Sequence, residues 1–500
     1  MGNLKGLAKD TAIYGLSSIV GRFLNYLLVP LYTATLSAAS GGYGVITNVY
    51  AYTALLLVIL TYGMETTFFR FANKEGEDPQ RVYSTTLVSV GFTSLVFIIL
   101  VLSFISPISA FMGYADHPSY VWVMAVTVAL DAFQCIPFAY LRYKKRPVKF
   151  AALKLANILM SIALNLVFFL ALPAWYESAG GEGFVAQIYS PEVGVGYAFY
   201  INLFCSGALM FLLLKELTGF RYVFDRALLR RMLGYSWPIL VLGIAGILNQ
   251  TADKILFPYI YGGADAHSQL GIYGAASKIA MIMAMITQAF RYAYEPFVFG
   301  NARSKDNRES YAKAMKFFVI FTLLAFLAVI GYMDILRYLI GRDYWEGLRV
   351  VPIVMAAEIM MGVYFNLSFW YKLIDKTIWG AYLSGAGCLV LIIVNVVFVP
   401  RYGYMACAWA GFAGYGTAML LSYFAGQKHY PINYPVREIM VYVAVALVMT
   451  AGMSAANRNL PMWAALLVNT LLIVLFAAMI VKRDFPLANL PVVGKYFRKK

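Results

Sequence analysis

Charged residues are scarce in this chain. Lys, Arg, Asp and Glu make up 13% of its 500 residues, about half the share found in a typical soluble domain. Histidine is rarer still: His117, His267 and His429 lie far apart and form no ligand cluster. The four cysteines, Cys135, Cys205, Cys388 and Cys407, show no CxxC spacing, and each falls inside an apolar run. That excludes a disulfide framework or a thiolate metal clip and leaves buried free thiols. Common catalytic signatures are missing too, with no DxD-like pair, GxSxG, HExxH or P-loop pattern. No segment between the apolar runs is long enough for a soluble domain. The longest, about 173–192, carries Glu177, Glu182 and Glu192. A membrane polymerase or glycosyltransferase needs catalytic groups at a membrane face, often on a sizeable loop, so the chain is not expected to be an enzyme.

What is abundant is apolar surface. Aliphatic, aromatic and sulfur residues fill 61% of positions, and the mean hydropathy is +0.70. A soluble core has no use for so much, but a bilayer does. The apolar residues come in runs of about twenty, the length that crosses roughly 30 Å of hydrocarbon as a helix. Fourteen such runs are expected as spans, near 12–35, 44–68, 84–106, 119–141, 150–172, 193–214, 236–259, 270–297, 314–333, 348–371, 378–399, 403–425, 437–455 and 462–481. The fold expected is therefore all-α and polytopic. The first run is too long for a signal peptide and no small-residue cleavage site follows it, so it is expected to be a true span.

The basic residues alternate with the spans. Thirty of the forty Lys and Arg lie at the N-terminus, in every second loop and in the tail. Five lie in the other loops (Arg337, Arg342, Arg349, Arg401, Arg458), and five lie inside spans. The bias places both termini in the cytoplasm. One missed span would have scrambled the alternation. The net charge of +16 follows from the same rule. Basic residues spread over many short loops fit anionic lipid headgroups, not a nucleic acid.

An internal repeat is visible. Leu28-Val29-Pro30-Leu31-Tyr32 ends span one, and Leu256-Phe257-Pro258-Tyr259 ends span seven. Tyr43-Gly44 and Tyr273-Gly274 follow at similar distances. This predicts two six-helix bundles, residues 1–220 and 221–430, related by a pseudo-two-fold axis along the membrane normal, with two further helices and a basic tail over 431–500. Parallel repeats of this kind are a transporter design with the substrate site between the halves.

Charges inside spans are costly, roughly 2.5–3.5 kcal/mol at mid-bilayer, and usually face a cavity or a partner. Ser18, Arg22 and Asn25 share one face of span one. They line a cavity, or Arg22 sits in a structural ion pair. Asp253 in span seven serves a coupling Na⁺ or H⁺, or it neutralises a neighbour such as Lys254. Span eight carries Lys278, Gln288, Arg291 and Glu295. Arg291 and Glu295 stand four apart and can pair with each other. Asp131 in span four and Glu358 in span ten are isolated acids, each in need of a partner or a proton.

The run Gly21-Arg22-Phe23-Leu24-Asn25-Tyr26-Leu27-Leu28-Val29-Pro30-Leu31-Tyr32-Thr33, followed by Tyr43-Gly44, resembles the opening of Wzx-type polysaccharide (O-antigen) flippases. These belong to the multidrug/oligosaccharidyl-lipid/polysaccharide exporter superfamily. Asn249 to Lys254, with Gly271-Ile272-Tyr273-Gly274-Ala275-Ala276-Ser277-Lys278-Ile279, is similar to their seventh and eighth helices. The resemblance implies two bundles around a central cavity, alternating access, and export of an undecaprenyl-pyrophosphate-linked oligosaccharide. It implies a pyrophosphate site at Arg22, Asn25, Lys254, Lys278 and Arg291, and coupling of Na⁺ or H⁺ through Asp253, Glu358 or Asp131, with no other cofactor. Partners implied are the lipid-linked oligosaccharide, membrane lipids and other polysaccharide-assembly membrane proteins. In related lipid II flippases helices thirteen and fourteen hold the lipid tail, a role open here to spans 437–455 and 462–481. Multidrug members typically carry an acid in helix one, where this chain has Ser18, Arg22 and Asn25. A lipid II flippase and a multidrug antiporter are the alternatives within the superfamily.

Overall fold

The computed structural model describes residues 26–300, 307–374 and 376–484, together with positions 20 and 24. Arg22 and Asn25 lie outside the described residues, as does most of the first predicted span. Of that span Leu28–Thr35 is a helix (α1). The others follow as Gly42–Thr61 (α2), Pro79–Ser103 (α3), Pro118–Tyr143 (α4), Pro147–Leu166 (α5), Gly196–Leu212 (α6), Arg226–Tyr261 (α7), Ala266–Gly300 (α8), Asn307–Gly331 (α9), Val351–Leu367 (α10), Ile378–Tyr402 (α11), Tyr404–His429 (α12), Val436–Asn459 (α13) and Met462–Arg483 (α14). No strand occurs among the described residues. Eleven helical segments are long and apolar enough to span a membrane. Helices α6, with 17 residues, and α12, with 26, occupy two more of the predicted spans. The chain is a multi-pass, all-helical membrane protein.

The ends of these helices follow local chemistry. Asp78 accepts hydrogen bonds from the Gln80 and Arg81 amides, and Pro79 opens α3, where its missing N–H costs nothing. Asp225 caps α7 through the Leu228 amide. After Thr61 the chain breaks at Tyr62 and Gly63, both left-handed, and resumes as Met64–Ala72. Outward-facing apolar residues such as Phe92, 66% exposed, and Val448, 72% exposed, are what a helix presents when its solvent is lipid.

The chain forms two compact units. The first comprises Met1–Ala275 with Cys388–Ala410, and the second Ala276–Gly387 with Gly411–Lys500. In the first, α4 packs against α3, α6 and α2, and α7 packs against α2. Its apolar core includes Met64, Phe68, Val82, Tyr83, Leu87 and Ile136. Tyr83 stacks on Tyr140 with centroids 4.0 Å apart and donates to the Glu216 carbonyl. At the end bearing the basic loops, Glu77 accepts from Arg231 at 2.6 Å and Arg81 at 3.4 Å, and Arg81 also reaches Asp225 at 3.3 Å. In the second unit, α9 packs against α10, α13 and α14.

The basic-end network makes stability pH-dependent. The hydrogen bond from Arg231 holds the Glu77 carboxyl below the usual range. The Leu228 amide does the same for Asp225. A lowered acid contributes fully above the ordinary carboxylate range, and that contribution is lost as pH falls through its lowered value. Thermal unfolding in detergent should therefore be flat near neutrality and decline on acidification below about pH 4. Glu77→Gln should shrink the acid limb. An unchanged acid limb in that variant would show that Glu77 contributes nothing to it.

Candidate functional site

Asp253 and Lys254 are neighbours in α7, and the first compact unit binds them into one cluster. Lys254 Nζ lies 2.9 Å from both carboxylate oxygens of the buried Asp253 and donates to the Gln250 carbonyl, also at 2.9 Å. Tyr273, from the start of α8, donates to Asp253 Oδ2 at 2.7 Å. Asn48 of α2 donates to the Lys254 carbonyl at 2.8 Å and accepts from Tyr114 at 2.7 Å. The anion of Asp253 is thus compensated on the spot by an ammonium and a phenol, as a charge buried away from water requires.

Two glycines hold this cluster together. A Cβ on Gly44 would strike the His267 carbonyl and come within 3.0 Å of the Gly271 amide nitrogen, and a Cβ on Gly274 would strike the Thr47 side chain. The Tyr-Gly pairs that mark the sequence repeat therefore meet at one crossing of α2 and α8. Small residues here let the backbones approach closely, as is usual where helices pack within lipid.

The second compact unit holds a separate recess. It is lined by Arg291 and Thr287 of α8, Asn366 of α10 and Lys372 just beyond it, with Phe365 and Phe369 as aromatic walls. The Arg291 guanidinium sits 5.2 Å from the Phe365 ring centroid, and Lys372 Nζ sits 4.7 Å from that of Phe369. Two cations share the recess, and no carboxylate is found among the described residues that line it. The buried Thr287 hydroxyl has no hydrogen-bond partner among the described residues. Such a donor set suits an anion with several oxygens. Lys278 of α8 and Glu358 of α10 belong to the same unit and are half-buried. Asp131 of α4 lies apart from these groups in hydrogen-bonding terms, accepting from Ser206 of α6 at 2.7 Å.

Lys372 was counted with the loop charges in the sequence. Yet Phe365, Phe369 and Lys372 stand four and three residues apart, which is one helical face, and that spacing was the available signal. A third feature is wholly apolar. Ala444, Val445, Val448, Met449 and Gly452 on one face of α13 form a groove of about 480 Å³ with Leu472 of α14.

Comparison with known proteins agrees with this architecture. The family model described as "Polysaccharide biosynthesis protein" matches residues 7–293, more than half of the chain. An Lsg-locus protein of Haemophilus influenzae is 20% identical over 433 residues, covering 84% of this chain and 98% of its own length. Among solved structures, a lipid II flippase, MurJ, in an inward closed conformation superposes with a TM-score of 0.71 at 13% identity, covering 94% of this chain and 98% of its own. An inward-facing multidrug resistance transporter of the MATE family superposes with a TM-score of 0.63 at 15% identity, covering 81% and 93%.

Proposed function

Since the chain belongs to the Polysaccharide biosynthesis protein family, a flippase and transporter family of the multidrug/oligosaccharidyl-lipid/polysaccharide superfamily, we propose that it moves an undecaprenyl-pyrophosphate-linked oligosaccharide across the inner membrane for surface polysaccharide assembly. The observation that carries this reading is the recess that brings the cations Arg291 and Lys372 together with the polar side chains of Thr287 and Asn366. A pyrophosphate cannot enter hydrocarbon bare. Guanidinium and ammonium donors can replace its hydration with charge-assisted hydrogen bonds. Arg22, Asn25, Lys254 and Lys278 are further candidates for binding the substrate. The groove of α13 and α14 offers an apolar surface for the polyprenyl chain. The basic loops face the cytoplasm, and an outside-positive potential then favours outward movement of an anion, by about 2.3 kcal/mol per charge per 100 mV. A coupling Na⁺ or H⁺ acts through Asp253, Glu358 or Asp131.

The test is competitive binding to the purified full-length protein in detergent. A polyprenyl-pyrophosphate sugar analogue is titrated against a lipophilic dye cation, with and without Na⁺. The analogue should bind tightly and salt-sensitively, and the dye weakly. Arg22→Ala, Arg291→Ala and Lys372→Ala should each weaken the analogue about tenfold or more, the worth of one hydrogen bond to a charged group. Preferential dye binding would overturn the reading in favour of cation export. A lipid II-type glycan carries the same pyrophosphate, so its analogue, run alongside, decides which glycan the site prefers.

A further inference from the structure

The first compact unit contains a polar seam that the recess and the Asp253 cluster leave unused. Helix α5 carries Lys154, Asn157, Ser161 and Asn165 at intervals of three, four and four residues, which puts them on one face. Asn165 donates to the Ser161 carbonyl at 2.8 Å and accepts from Tyr32 at 2.6 Å. On α6, Asn202 donates to the Tyr50 hydroxyl at 2.7 Å, and one turn later Ser206 donates to Asp131. Gln134 of α4 closes the group by donating to the Ser206 carbonyl at 2.7 Å. Helix α6 packs against both α4 and α5, so the three polar stripes belong to one helix cluster.

Asp131 is the only carboxylate among the described residues of the seam, and its surroundings differ from those of Asp253. It receives one hydroxyl hydrogen bond, and among the described residues no Lys or Arg nitrogen lies within ion-pair distance of it. The seam's one ammonium, Lys154, rests over the Phe138 ring at 4.1 Å instead. On α5 the side-chain carbonyl oxygen of Asn157 is buried with no hydrogen-bond partner among the described residues. From the helical rise, Asp131 lies about 18 Å from the basic end of α4, and Asn157 about 15 Å from the basic end of α5. A spare acceptor therefore sits near the depth of a carboxyl that has no counter-ion. The other titratable groups on the helices packed here are Tyr120, Cys135, Tyr140 and Tyr143 of α4, Lys149 of α5, Tyr197, Tyr200 and Cys205 of α6, Tyr43, Tyr50 and Tyr52 of α2 with Tyr62 just beyond it, and Arg81 and Tyr83 of α3. Arg142 pairs with Glu65 further towards the basic end.

We propose that this seam is a proton-binding site, with Asp131 as the group that takes the proton and Lys154 as the positioning cation that sets when it is released. In the loaded state one proton joins the Asp131 carboxylate, and the neutral acid needs no ion pair. In the unloaded state the carboxylate keeps the Ser206 hydrogen bond and Lys154 supplies the compensating charge. The site takes a proton and not a metal cation, because Lys154 repels the latter and the described neighbours offer too few oxygens to replace its hydration. The binding itself is independent of any cargo. What the proton drives rests on the transporter reading above.

The experiment uses the full-length protein in liposomes without substrate. A hydrophobic carbodiimide, which modifies protonated carboxyls within the membrane, is applied between about pH 6 and pH 9, and Asp131 is followed by peptide mass spectrometry. Asp131 should be modified at the acid end and progressively protected towards the alkaline end. Lys154→Met should carry modification about one pH unit higher, while Lys154→Arg should keep the parent profile. Asp131→Asn should abolish the signal. An Asp131 protected at every pH, or a profile that Lys154→Met does not move, overturns the proposal. Failure of the polyprenyl-pyrophosphate binding test would leave this measurement unaffected.

Discussion

Gly44→Ala should abolish or severely reduce folded protein, although it adds a single methyl group. The added carbon meets the His267 carbonyl and approaches the Gly271 amide nitrogen to 3.0 Å. Both are backbone atoms of α8 and cannot rotate aside as a side chain would. Overpacking typically costs about 1–3 kcal/mol, and a collision with rigid backbone belongs at or above the top of that range. The loss also reaches the Asp253 cluster, since Tyr273 and Asn48 are carried by the two helices forced apart. Gly246→Ala is the contrasting case. Gly246 lies within α7 with nothing near its missing Cβ, and alanine there should stabilise the helix by up to about 1 kcal/mol. Unfolding temperatures of both variants in detergent provide the check. Similar behaviour of the two would mean that the close approach of α2 and α8 is not required.

Lys316→Met should be the second most damaging change, and it should reverse the direction of the local pH dependence. Lys316 of α9 bonds to Glu438 of α13 and to Asp484 at the end of α14, and Asp484 also accepts from Tyr442. At the other end of α9, Asn469 donates to the Gly331 carbonyl at 2.8 Å and Tyr332 meets Thr470 at 2.9 Å. The C-terminal helix pair is thus fastened to α9 at both ends. The Lys316 and Asp484 side chains are 12% and 10% exposed, while that of Glu438 is 43% exposed. Removing one partner of a buried pair costs about 3–5 kcal/mol. The exposure of Glu438 reduces that to about 2–3 kcal/mol.

Burial alone pushes the Asp484 carboxyl up, and the hydrogen bonds from Lys316 and Tyr442 overcome it to hold the group below its usual range. The parent therefore keeps this contribution above the ordinary carboxylate range and loses it on acidification. Without Lys316 burial dominates, so the variant should instead lose stability as pH rises through the carboxylate range. Lys316→Met/Asp484→Asn should restore much of the loss by removing the stranded charge. Equal destabilisation of the single and double variants would show that packing, not the ion pair, fastens α13 and α14.

The amino-acid sequence by itself determined the solvent of this protein, and with it the secondary structure. Runs of twenty apolar residues have only lipid as a suitable environment, and lipid forces every backbone polar group into an internal hydrogen bond. That is why thirteen of the fourteen expected spans are helices among the described residues, with the first largely outside them. The Tyr43-Gly44 and Tyr273-Gly274 pairs were equally legible, because a glycine inside a helical run asks for a neighbouring backbone. What the sequence left open was which charge meets which. It offered Asp253 as an ion site or as a neutraliser of Lys254, and the packing of Tyr273 and Asn48 set the two side chains together. It placed Lys372 with the loop charges, whereas the tertiary structure puts it in a recess with Arg291. It showed Asp131 as a lone acid, and only the packing of α5 and α6 revealed the polar stripes beside it. The physical reason is common to all three. The helical period fixes which residues share a face, but the partner of that face is chosen by contacts between helices far apart in the chain.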